Sequence, residues 1–189
     1  MVTQGRHVLR TIRNPIARDY ITFIETSSES KGQHTLLEVI LPPNGNVPAH
    51  AQHQHEETFT CVEGELTLLI NRQYVHLKSG ESVTILPGTR HRITNRSAQP
   101  CQFRWEIAPG CPNFEQSIQI AYGLACDGQY SHRTGVPRNP FAMGYLYTLD
   151  DAGLPRWLLL AAPVMRWLSR KAVEKGVAAT LHRRYVMIR

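Results

Sequence analysis

Residues 45–64 read Gly-Asn-Val-Pro-Ala-His50-Ala-Gln-His53-Gln-His55-Glu-Glu57-Thr-Phe-Thr-Cys-Val-Glu-Gly64. Three histidines and two glutamates fall within eight residues there, 50–57. Imidazole and carboxylate together suit borderline divalent metals such as Fe, Mn, Ni, Cu or Zn. If the segment is extended, side chains alternate and His53, His55 and Glu57 share one face. His50 has the other parity, so it converges with them only through a bend or a bulge. A solvated His-rich loop is the simpler alternative for such a cluster taken alone.

A second stretch follows one hairpin later: Gly80-Glu-Ser-Val-Thr-Ile-Leu-Pro87-Gly88-Thr-Arg-His91-Arg-Ile-Thr-Asn95. Together the two stretches resemble the paired motifs of the cupin superfamily, G-x5-H-x-H-x3-4-E-x6-G and G-x5-P-x-G-x2-H-x3-N. Glu57 to Gly64, Gly80, Gly88, His91 and Asn95 fall in register, and His50 follows Gly45 after four residues, one short of the pattern. The resemblance covers about residues 35–108. Two further positions depart from it. The second-motif proline falls on Leu86, with Pro87 one residue later, and the H-x-H pair is broken. A four-residue spacer makes His50 the first histidine and leaves Gln52 at the second position. A three-residue spacer makes His53 the second and leaves Ala51 at the first.

The resemblance implies a double-stranded β-helix, or jelly-roll barrel, with metal ligands drawn from His50, His53, Glu57 and His91. Gln52, through its amide oxygen, and His55 are alternative ligands or supports behind them. Two histidines and one carboxylate still form an oxygen-activating set. Cupins that have shed their metal also exist, and the broken motif keeps that class in view.

Elements that could carry these residues are legible around them. Tyr20–Thr26, Thr35–Leu41, Thr58–Val62, Leu66–Ile70, Tyr74–Leu77, Ser82–Leu86 and Cys101–Ile107 read as short strands between turn signals, which indicates a β-sandwich or barrel. Alternation places Phe59 and Cys61 on the same inner wall as Glu57, and Phe103, Trp105 and Ile107 on one face. Phe59, Cys61, Phe103 and Trp105 are therefore candidate pocket lining, with plain core packing as the alternative. Beyond Pro109 the pattern turns helical: Phe114, Ile118, Tyr122 and Ala125 recur at helical spacing, Asn113 is a plausible N-cap, and Asp127-Gly128 ends the run. Residues 128–153 read as loop. The tail reads as two or three helices, with Pro155 in a first turn, Pro163 restarting and Gly176 capping. Trp157, Ala161, Val164, Leu168 and Ala172 form its apolar stripe. The organisation expected is a barrel with N-terminal strands over 1–110 and a helical extension over 111–189, packing on the barrel or on a partner subunit. Such an extension also resembles that of some bacterial cupin-domain proteins.

Charge sharpens the functional reading. The chain has 189 residues and a formal charge of +6. Residues 1–154 hold 13 Lys+Arg against 14 Asp+Glu, while 155–189 hold 8 against Glu174 alone. A nearly neutral barrel and no helix-turn-helix signal argue against nucleic acid as a partner. The basic tail suits dimerisation, and less readily a membrane surface. Four cysteines without a CxxC pair, and no apolar leader, point to the cytoplasm rather than to a secreted disulfide scaffold. The expected activity is a metal-dependent cupin acting on a small organic molecule, as a dioxygenase or isomerase, and the expected assembly is a homodimer. The competing expectation is a non-catalytic binding or sensing cupin with a degenerate metal site, its tail serving dimerisation or surface docking.

Overall fold

A computed structural model of the protein describes residues 10–131, 135–149 and 161–188. Two antiparallel sheets form the barrel. The larger runs β1(Thr11–Asn14)-β2(Asp19–Glu25)-β3(Thr35–Leu41)-β10(Cys101–Ala108)-β5(Glu56–Glu63)-β8(Ser82–Ile85). The smaller runs β4(Asn46–His50)-β9(His91–Thr94)-β6(Glu65–Ile70)-β7(Gln73–Lys78). Alternation decides which residues meet between them. On β5, Glu57, Phe59 and Cys61 point inward, and on β10 Cys101, Phe103, Trp105 and Ile107 do the same. The β5–β10 register sets Phe59 opposite Trp105 and Cys61 opposite Phe103. Burying each such ring stabilises the barrel by about 2–3 kcal/mol. The result is a jelly-roll β fold followed by helices, as the motif resemblance implies.

The seven strands read from sequence are all present. β1, β4 and β9 are additional, being short and interrupted by Asn, Pro or Arg. Asn95, the last residue of the second motif, is almost wholly buried. Its side-chain amide donates to the Leu41 and Gln99 carbonyls, and its Oδ1 accepts from the Ser97 backbone. Its backbone N–H reaches the Gly45 carbonyl. The two motifs are thus stitched together at their ends by one asparagine.

Helix α1(Pro112–Cys126) packs its Phe114 and Ile118 against the barrel core. Its N-cap is Cys111 rather than Asn113, because Pro112 takes the first helical position, where no N–H is needed. Glu115, buried on α1, accepts from the Ser27 backbone N–H and the Thr35 hydroxyl, both at 2.6 Å, and so clamps the helix to the barrel's open end. Residues 128–153 are not all loop: α2(Pro140–Leu149) lies within them. Asn139 Oδ1 accepts from the Phe141 N–H at 2.9 Å, and Pro140 fits the first turn, so a run that looks like breakers is a helix start.

In the tail, α3(Ala162–Glu174) buries Leu168 and Ala172, while Val164 stays exposed. The buried ridge is set by the approach of α2. A Cβ added to Gly144 would come within 2.5 Å of the Leu168 Cβ, so the helices touch at a point that excludes Val164. Gly176, at φ +70°, turns the chain between α3 and α4(Val177–Tyr185). Ile188 then returns to the barrel core. Pro155 and Trp157 lie outside the described residues. Among the described residues, no helix is long and apolar enough to cross a membrane.

Candidate metal centre

The centre is assembled from both sheets. β4 and β9 are neighbours in the smaller sheet, and their register shifts by one residue: Val47 faces Ile93, yet His50 faces His91. That bulge supplies the parity change His50 needs, and its imidazole lies 4.4 Å, centroid to centroid, from that of His91. The chain then leaves the smaller sheet at residue 51 and enters the larger one at Glu56, which delivers Glu57 from the other side. One ligand atom each from His50, Glu57 and His91 lie within 4.8 Å of one another. His91 and Glu57 are buried, and His50 is partly exposed.

Hydrogen bonds fix how these groups face one another. His91 Nδ1–H donates to the Thr89 carbonyl at 3.1 Å, and His50 Nδ1–H to the Pro48 carbonyl at 2.9 Å. Because a carbonyl only accepts, each Nδ1 carries a proton, and an imidazole that is neutral then has its lone pair at Nε2. His91 Nε2 stands 3.3 Å from Glu57 Oε2 and makes no hydrogen bond among the described residues. Burial first, and then the neighbouring His50, push the His91 imidazole down to about 4, so at neutral pH this ring is uncharged. A lone pair and a carboxylate oxygen therefore face each other across a buried gap, an arrangement that a cation relieves. The other carboxylate oxygen, Glu57 Oε1, accepts a 3.1 Å bond from Trp105 Nε1–H. The donor set, its burial and its orienting bonds fit a divalent metal.

His50 of the cluster lines a cavity of about 320 Å³, together with Gln52, Phe103 and Trp105 and with Phe114, Ile118 and Tyr122 of α1. Phe103 and Trp105 thus line the space. Phe59 and Cys61 are fully buried in the core behind it. Cys61 sits beside Cys101, whose thiol burial pushes up to about 12. Among the described residues, no disulfide is formed.

His53 is exposed, on the bend between β4 and β5, and stands apart from the three convergent groups. His55 is buried and bonds through Nδ1 to the Pro109 carbonyl at 2.9 Å, tying that bend to the end of β10. Gln52 is buried beside His50, and its backbone carbonyl accepts from the Gly88 N–H. Two polar wall residues carried no site signal in the sequence: Asp19 on β2 and Tyr122 on α1, the latter legible only in the helical spacing. The Tyr122 hydroxyl donates to Asp19 Oδ2 at 2.9 Å, and both line the cavity. The Trp105–Glu57 bond follows from the β5–β10 register, in which Glu57 opposes Ile107, two residues from Trp105.

Comparison with known proteins bears on this geometry. The cupin-domain family model matches residues 37–107. The barrel is a cupin domain. The cupin barrel is also similar to part of the HTH-type transcriptional regulator PuuR of Escherichia coli (strain K12), 40% identical over 60 residues, 32% of either chain. It resembles the tetracenomycin polyketide synthase protein TcmJ of Streptomyces glaucescens at 31% over 75 residues, 40% of this chain and 50% of that one. The chain therefore spans a third to a half of the length of these curated relatives. Among solved structures, a predicted oxalate decarboxylase from Thermotoga maritima matches at 20% identity with a TM-score of 0.47. That match covers 48% of this chain and 80% of the other. The cupin residues His50, Glu57 and His91 form a cluster able to hold a metal ion.

Proposed function

We propose that the cupin barrel binds one divalent transition metal through His50, Glu57 and His91 and receives a small organic molecule in the adjoining cavity. The carrying observation is the buried face-off of His91 Nε2 and Glu57 Oε2 at 3.3 Å, with His91 Nδ1 already committed to a carbonyl. Three protein ligands leave coordination positions for a substrate, and such a metal supplies Lewis acidity or oxygen activation, the chemistry of an isomerase or a dioxygenase. The protein's own part is to hold both imidazoles in one tautomer and to orient the carboxylate through Trp105. Its walls, apolar apart from a few groups such as Asp19 and Gln52, select the ligand's shape.

The test is thermal unfolding of untagged, chelator-stripped protein titrated with Fe²⁺, Mn²⁺, Ni²⁺ and Zn²⁺, with elemental analysis of the product. A metal at a hundred times its Kd stabilises by about 2.7 kcal/mol. We expect a rise in Tm for at least one of these metals and near one equivalent retained, both lost in His91→Ala. Well under one equivalent of every metal after reconstitution overturns the reading.

The likeness to part of a transcriptional regulator supports a second reading, a barrel that binds its small molecule without turning it over. A metal-loaded protein that binds ligands but consumes neither them nor oxygen would favour it.

A further inference from the structure

The barrel's charge is nearly balanced overall, yet it is not evenly spread. The outward face of the smaller sheet carries Arg72, Arg90 and Arg92 around one cavity of about 450 Å³, floored by Ala49 and Leu69. An adjoining hollow continues past Arg92 to Arg96. Among the described residues, no carboxylate lines either space. Arg72 and Arg90 form no ion pair among the described residues, whereas Arg10 and Arg184 do. Arg92 is held in place by a 2.6 Å bond from its Nε to Asn46 Oδ1, which leaves its terminal nitrogens to the cavity.

The placement of Arg72 is also costly. It is the second residue of the two-residue β6–β7 turn, where Asn71 and Arg72 have φ of +47° and +73°. A turn of that type favours Asn followed by Gly, since the left-handed conformation strains a side-chain-bearing residue. An arginine in a glycine position, aimed with two others into one concavity, is what recognition of a multiply charged oxyanion calls for: guanidinium forks match phosphate oxygens in pairs. His91, the buried metal-ligand candidate, also lines this cavity, beside the arginines.

We infer that Arg72, Arg90 and Arg92 form an anion site on the outer face of the smaller sheet that takes a small phosphorylated molecule, separate from the cavity beside Glu57. The concavity is the size of a small metabolite rather than of a polymer groove.

The test is calorimetric titration of the full chain with inorganic pyrophosphate, and with phenyl phosphate against phenol, in chelator and at low salt. The variants are Arg72→Gly/Arg90→Gln and, separately, Glu57→Gln, a metal-centre residue that does not line this cavity. We expect wild-type protein to bind pyrophosphate, and to bind phenyl phosphate at least tenfold more tightly than phenol, with both affinities falling as NaCl is raised. The arginine double variant should lose at least tenfold while its Tm holds or rises, because glycine relaxes the turn. Glu57→Gln should bind as wild type does, which separates this site from the metal centre. No measurable pyrophosphate binding by wild type, equal binding by the double variant, or loss in Glu57→Gln alone would each overturn the inference.

Discussion

Trp105 Nε1 donates to Glu57 Oε1 across the β5–β10 pair, so a core aromatic aims the one carboxylate of the cluster. The indole also stacks on Phe59 at 5.6 Å between centroids and meets Phe114 edge-on at 5.1 Å, which leaves it little freedom to turn. Trp105→Phe keeps most of this packing and removes the donor. A carboxylate that loses its orienting bond binds metal about 10- to 100-fold more weakly. We expect a drop of that order in metal affinity by calorimetry, with the far-UV spectrum unchanged. Unaltered affinity would show that the bond plays no part in aiming Glu57.

The two histidine registers left open by the broken motif are separable by substitution. His50 stands beside His91 across the β4–β9 bulge, whereas His53 is exposed on the bend. His53→Ala should therefore leave metal stoichiometry and metal-induced stabilisation as they are. His50→Ala should abolish or sharply weaken both. The reverse outcome would move the centre toward the bend and out of the barrel mouth.

The readable part of this molecule was its periodicity. β2, β3, β5–β8 and β10 announce themselves as short β-rich runs between turn signals, and α1 because Phe114, Ile118 and Tyr122 recur at helical spacing. Glu57 and His91 were legible from motif position. What chose between His50 and His53 was a single inserted residue in β4, a backbone event that leaves no mark on side-chain type. Asp19 and Tyr122 were silent for another reason: 103 residues separate them, and only the docking of α1 brings them into one wall. α2 hid because Gly144 and Pro140 look like breakers, while one admits Leu168 and the other starts the helix.

Asp19 offers a pH-dependent check. It is 5% exposed, and burial, the largest influence, raises its carboxyl above 3.8 despite the Tyr122 hydroxyl and its own backbone N–H, which lower it. A carboxyl whose pKa is raised by folding holds its proton more tightly in the native state. Stability is then lost as pH climbs from 3.8 through the folded value. Asp19→Asn escapes that penalty and keeps an oxygen for Tyr122 to donate to. We expect its Tm at pH 7 to exceed the wild type's by a few degrees, the gap closing below pH 3.8. A lower Tm at neutral pH would mean that ionised Asp19 is paired more strongly than its surroundings indicate.

Gln119 decides whether the C-terminal segment stays on the barrel. Only 2% exposed on α1, it accepts from the Met187 and Ile188 backbone N–H groups through Oε1, both at 3.0 Å. Its Nε2 donates to the Ile188 carbonyl at 2.9 Å and to the Glu115 carbonyl at 3.2 Å. One amide thus replaces the strand that would otherwise pair residues 187–188, and Ile188 enters the core beside it. Gln119→Met preserves the volume but strands those backbone groups, at about 1–3 kcal/mol for each one left buried and unpaired. We expect urea unfolding to report a loss of about 2–4 kcal/mol. Amide exchange at Met187 and Ile188 should become much faster while that of β5 and β10 follows only the global change. If those two amides keep their wild-type protection, the segment is anchored by the burial of Ile188 and Val186 alone, and the glutamine merely accompanies it.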